Sequence, residues 1–153
     1  MTLERRTFCI SAAAFAAAIQ SSSSYGASSM NRRAINPSKT GWAHGHEVSN
    51  PSRILFISGQ VPEASDGTVP KDFKDQCRLA WANVEKQLIA AEMTLNNIAK
   101  MTIFLSDRRY IQDAYEVRAE VLGKNTVPPA MTILIAGIYD EAWLLEIEAI
   151  AVA

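Results

Sequence analysis

Hydrophobic positions along residues 31–153 repeat with two different periods, and the switches between them mark the elements. Arg53 to Ser58 (Arg-Ile-Leu-Phe-Ile-Ser) is a short β-rich run, joined through a turn at Pro51 to an extended stretch around Trp42 to Val48. Glu63 to Gly67 ends in Asp-Gly, a turn signal. Phe73, Cys77, Ala80, Val84, Leu88 and Ala91 then fall at steps of three and four. They form the apolar stripe of a helix, with Asp72 and Asp75 at its positive end. Met101 to Leu105 is a strand, and Ser106-Asp107 caps a second helix running through Tyr110, Ala114, Val117 and Val121 to Gly123. Val127-Pro128-Pro129 enforces an extended entry to a strand over Met131 to Ala136, and the last strand runs from Trp143 to Val152. The class is α+β.

In the last strand one face carries Leu144, Glu146, Glu148, Ile150 and Val152, the other Leu145, Ile147, Ala149 and Ala151. Both faces are largely apolar, so both need cover, and two amphipathic helices cover only one. The sequence therefore predicts an obligate oligomer whose second sheet face meets another subunit.

The first thirty residues follow neither period. Arg5-Arg6 precede an uncharged Ala-rich stretch from Thr7 to Ile19, then a serine run and Tyr25-Gly26-Ala27. A basic region, a short apolar region and small exit residues describe an export signal over residues 1–27; Arg5, Arg6 and Phe8 resemble a twin-arginine signal. A disordered leader is expected over 28–33 and the folded domain over 34–153. Export to the periplasm competes with retention of a disordered Ala/Ser-rich tail in the cytoplasm. The apolar stretch is too short to span a bilayer, and no membrane partner is expected for the mature chain.

Composition narrows the rest. Of 153 residues 48% are hydrophobic and 20% charged, with 15 Lys+Arg against 16 Asp+Glu, which describes one globular domain and no polyanion binder. Two cysteines, one of them in the leader, supply neither a disulfide scaffold nor a Cys-based zinc site.

Several segments together carry a resemblance: Ser58-Gly59-Gln60 after an apolar strand, Asn83-Val84, and Lys100-Met101-Thr102-Ile103-Phe104-Leu105. Pro129-Ala130 before a strand and the terminal Glu146-Ile147-Glu148-Ala149-Ile150-Ala151 complete the set. In these the chain resembles the Rid family (RidA/YjgF, formerly endoribonuclease L-PSP). The resemblance implies a chorismate mutase-like fold, a mixed sheet with two helices on one face, and a homotrimer with pockets at its seams. It also implies hydrolysis of imines and enamines to keto acids and ammonia without cofactor or metal. Glu148 is the expected acid–base carboxylate, and Ser58, Gly59, Met131, Ile133 and Trp42 are the expected substrate-binding residues. The family motif Pro-Ala-Arg reads Pro129-Ala130-Met131 here, and a thioether cannot neutralise a carboxylate. Gly41-Trp42-Ala43-His44 stands where the family carries a tyrosine segment.

Two functions follow. One is a divergent hydrolase in which Glu148 activates water against an imine lacking an essential carboxylate. The other is a non-catalytic module that binds small ligands or proteins, protective under stress. Whether a cation such as Arg53 or Arg118 reaches the pocket from a neighbouring chain stays open. His44 and His46 offer two imidazoles to a metal, with lining and exposed roles favoured instead. Cys77 reads as a buried thiol and Arg108-Arg109 as solvated surface. Nothing in the sequence carries nuclease chemistry.

Overall fold

The computed structural model describes residues 29–123 and 127–153; residues 1–27, where an export signal is expected, lie outside the described residues. The elements are β1 (Asn31–Pro37), β2 (Ala43–Ser49), β3 (Ile54–Gln60), α1 (Phe73–Ala90), β4 (Ile98–Leu105), α2 (Ile111–Leu122), β5 (Ala130–Ile135) and β6 (Leu145–Val152). One six-stranded mixed sheet has the order β1-β2-β5-β4-β6-β3. β4 and β5 run parallel, while β6 is antiparallel to both β4 and β3. The expected α+β architecture, a mixed sheet with two helices, is what forms.

One expectation is corrected. Residues 31–33, read as part of a disordered leader, are the first residues of β1, an edge strand pairing Asn31 with Ser49 and Arg32 with Val48. Asn31-Arg32-Arg33 has no apolar alternation to betray a strand. Its order comes from the backbone ladder to β2 and from Arg32, whose guanidinium donates to the carbonyls of Asn96 and Ile98.

Helix α1 starts where Asp72 accepts hydrogen bonds from the backbone N–H of Lys74 (2.9 Å) and Asp75 (3.3 Å). Its buried face is Phe73, Gln76, Cys77, Ala80, Trp81, Val84 and Leu88: the stripe seen in the sequence without Ala91, joined by Trp81 and the polar Gln76. Gln76 earns its burial by bonding: its amide donates to the carbonyls of Pro70 and Ala142 and accepts from Leu144 N–H. That ties the entry of α1 to the entry of β6. A single 3-10 turn, Arg108–Tyr110, precedes α2, and Asp107 accepts from Arg109 N–H at 2.9 Å. Gly123 ends α2 at φ +58°, a conformation that costs glycine least. Lys74 pairs with Asp113 and Glu116, and Arg78 with Glu120, fixing the two helices against each other on their exposed side.

Both helices lie on one face of the sheet. That face contributes Met101, Ile103 and Leu105 of β4 and Leu145, Ile147, Ala149 and Ala151 of β6 to a single core with Trp81, Val84, Leu88 and Val117. The opposite face carries Ile54, Phe56, Lys100, Thr102, Phe104, Leu134, Glu146, Glu148 and Ile150, as the cross-strand pairing places them. No element of the chain packs over it among the described residues, and Ile54 and Phe56 are 54% and 73% exposed.

Candidate functional site

The ladder between β3 and β6 is regular from Ile54 to Ile57 and then slips, so that the next pair is Gln60 with Ile147. Ser58 and Gly59 form this irregularity. A bulge re-aims side chains and frees backbone groups, which suits the wall of a site. The carboxylate of Glu146 lies across Gly59: a Cβ built there would sit 1.5 Å from Glu146 Oε1. Any side chain at position 59 would displace that carboxylate, the mobile end of the Glu146 side chain. Glu148, on the same face of β6, shares an open cavity of about 400 Å³ with Ser58, Phe56, Lys100, Thr102 and Ile150. Lys100 Nζ donates to the carbonyl of Met101 (2.6 Å) and to the hydroxyls of Thr132 (3.1 Å) and Thr102 (3.3 Å). Partial burial lowers its pKa, against the opposing pull of the Glu148 charge. The open face therefore holds two carboxylates, a lysine and three hydroxyls in an otherwise apolar surround.

A second pocket lies on the helix-covered side, where α2 crosses β5. It encloses about 330 Å³ among Trp42, Ile111, Tyr115, Arg118, Met131 and Ile133. Met131 and Ile133 pair with Met101 and Ile103 and so project towards the helices. Arg118 is only 2% exposed. Its Nη1 donates to Met131 Sδ at 2.8 Å and its Nη2 to Thr40 O at 3.0 Å, while Cζ stands 5.0 Å from the Tyr115 ring centroid. Burial lowers its pKa and the neighbouring Tyr115 opposes that shift. Among the described residues no carboxylate forms an ion pair with it.

The expected site residues thus fall into two groups. Ser58, Gly59 and Glu148 meet on the open face; Trp42, Met131 and Ile133 meet beneath α2. Since Thr102 bridges Glu148 and Thr132 in register, Met131 is separated from Glu148 by the width of β4 and by the sheet itself. Arg118, which the sequence offered as a cation that could come from a neighbouring chain, lies beside Met131 of its own chain. Two participants were not singled out as site residues from the sequence. Glu146 was visible as the face-mate of Glu148, and Lys100 stood only within the segment that carries the family resemblance.

The remaining candidates resolve differently. His46 Nε2 accepts from Arg32 Nε (3.2 Å), so its proton is on Nδ1, which donates to Pro128 O at 2.9 Å. Both nitrogens are engaged in holding β2, and desolvation, the largest influence, lowers the His46 pKa. His44 packs edge-on against Trp42, ring centroids 4.8 Å apart. Cys77 is buried in the core and desolvation pushes its pKa up to about 12, so it is no nucleophile.

A six-stranded mixed sheet backed by two helices, with a Ser-Gly bulge facing carboxylates, defines a class that comparison identifies. The Endoribonuclease L-PSP family model matches residues 37–153, and the chain belongs to that family, the Rid proteins. TdcF of Escherichia coli K12, whose name assigns it provisionally to the reactive intermediate deaminases, is 34% identical over 102 residues, covering 65% of this chain and 78% of TdcF. A RutC family protein of Pyrococcus horikoshii is 37% identical over 100 residues, 64% of this chain and 78% of its own. Among solved structures, YyfB of Yersinia pestis, a Rid protein of unknown function, superposes with TM-score 0.69 at 25% identity, covering 80% of this chain and 99% of YyfB. Escherichia coli TdcF with bound serine superposes with TM-score 0.63 at 30% identity, covering 79% and 91%.

Proposed function

We propose that this protein is a Rid-type hydrolase that converts small reactive imines or enamines to carbonyl compounds and ammonia. The observation that carries it is the pairing of Ser58 and Glu148 in one open cavity beside the Gly59 bulge. An imine carbon is electrophilic once its nitrogen is protonated. A carboxylate that holds and deprotonates a water, then returns the proton to the departing nitrogen, suffices without metal. Glu148 is assigned that role, with Ser58 and the freed backbone at Gly59 orienting the substrate. A second assignment rests on a specific contact: the Glu146 carboxylate lies against Gly59 of the bulge.

In this proposal the working site is completed by assembly. The uncovered face offers Ile54, Phe56 and Leu134 to another copy. A threefold association would bring a neighbour's half-site against each chain, joining groups that one chain keeps on opposite faces.

The test is ammonia release from imines generated in place by an amino acid oxidase. Wild type is expected to accelerate release, with the rate falling about 100-fold or more in Glu148→Gln, as for loss of a general base. A loss confined to Glu146→Gln moves the role to Glu146. If wild type and both variants match the uncatalysed rate across a panel of imines, the protein is a binding module.

A further inference from the structure

Arg118 is a buried cation with no carboxylate partner among the described residues; its charge is met only by a carbonyl, a thioether and the face of the Tyr115 ring. A guanidinium offers five donors, yet at 2% exposure this one bonds a single carbonyl and a thioether, the latter a weak acceptor. Taking a cation out of water without an anionic partner is costly, and an anion that reaches it offsets that cost. The pocket beside it is lined by apolar and aromatic side chains, and its 330 Å³ lies at the small end of ligand cavities.

We propose that Arg118 binds the carboxylate of a small organic acid with an apolar or planar side chain, the carboxylate displacing Met131 Sδ and the side chain resting on Trp42 and Ile133. The anion supplies the acceptors the guanidinium lacks, in the two-pronged geometry that arginine favours. The cation thus comes from α2 of the same chain, while the adjacent strand position is left to a neutral methionine. This rests on the hydrolase proposal only in naming the substrate, a 2-imino acid; binding of a stable acid is independent of turnover.

Calorimetric titration of the purified full chain with 2-oxo-4-methylpentanoate and with its methyl ester tests this. The acid is expected to bind at least about tenfold more tightly than the ester, the equivalent of one charge-assisted bond. Arg118→Gln is expected to abolish that preference and Arg118→Lys to restore part of it. Met131→Glu, which supplies an internal partner and so keeps the cation compensated, is expected to abolish acid binding in a folded protein. Equal binding of acid and ester, or unchanged acid binding in folded Met131→Glu, overturns the assignment. Acid binding without imine turnover leaves Arg118 standing and removes the hydrolase. Imine turnover with KM unchanged in Arg118→Gln does the reverse.

Discussion

The two faces of the sheet start from similar apolar content and end in different environments. On the helix side, Leu145, Ile147 and Ala151 of β6 are fully buried, and Trp81, Val84 and Leu88 of α1 close over them. On the other side, Phe56 and Ile54 remain more than half exposed, and the polar groups Lys100, Thr102, Glu146 and Glu148 sit among them. The difference teaches where stability and chemistry divide. The covered face is close-packed and intolerant of change, whereas the open face keeps its carboxylates in reach of solvent.

The largest effect expected from breaking this contrast is on Ile147. Truncation to alanine removes fully buried methyl groups and is expected to cost about 2–5 kcal/mol in denaturant unfolding. Phe56→Ala in a dilute monomer is expected to stay within about 0.5 kcal/mol. Phe56→Asp sharpens the comparison through assembly: light scattering is expected to show a smaller species than wild type. A wild type that is already monomeric would remove the threefold proposal.

A smaller effect separates the faces by alkali. The Cys77 thiol is pushed up to about 12, above the ordinary thiol range, so the native state keeps a proton that the unfolded chain sheds from about pH 9 upward. Stability present below pH 9 is therefore lost as pH rises towards 12, by at most about 4 kcal/mol. Melting curves of wild type are expected to fall more steeply over that range than those of Cys77→Ala. Parallel curves would show that the core around α1 admits solvent.

The smallest effect lies at the β1–β2 edge. His46 is held neutral between Arg32 and Pro128 with a lowered pKa. Below about pH 6.5 the unfolded chain takes up a proton that the folded chain refuses, so stability falls on acidification. Hydrogen exchange of β1 amides is expected to speed up between pH 6.5 and 5 after correction for intrinsic rates, and His46→Gln should flatten that response.

Much of this was legible along the chain. The stripe Phe73 to Leu88, the acidic start at Asp72 and Asp75, the alternation in β6 and the stop at Gly123 all register in a one-dimensional pattern, because each depends on neighbours within a few residues. The Ser58-Gly59 irregularity was marked by its residues, though not its neighbour, the Glu146 carboxylate 87 positions away. β1 escaped because its order rests on partners in β2 and on carbonyls near residue 97.

The sequence by itself determined the types of the elements after β1, the α+β class and the two-faced greasiness of the sheet, since periodicity and burial are coupled locally. Only the tertiary structure decided which face the helices take, that Glu148 and Met131 lie on opposite sides of β4, and that Arg118 meets Met131. Those depend on strand order and helix crossing, which arise from long-range packing between segments whose own patterns would allow more than one arrangement.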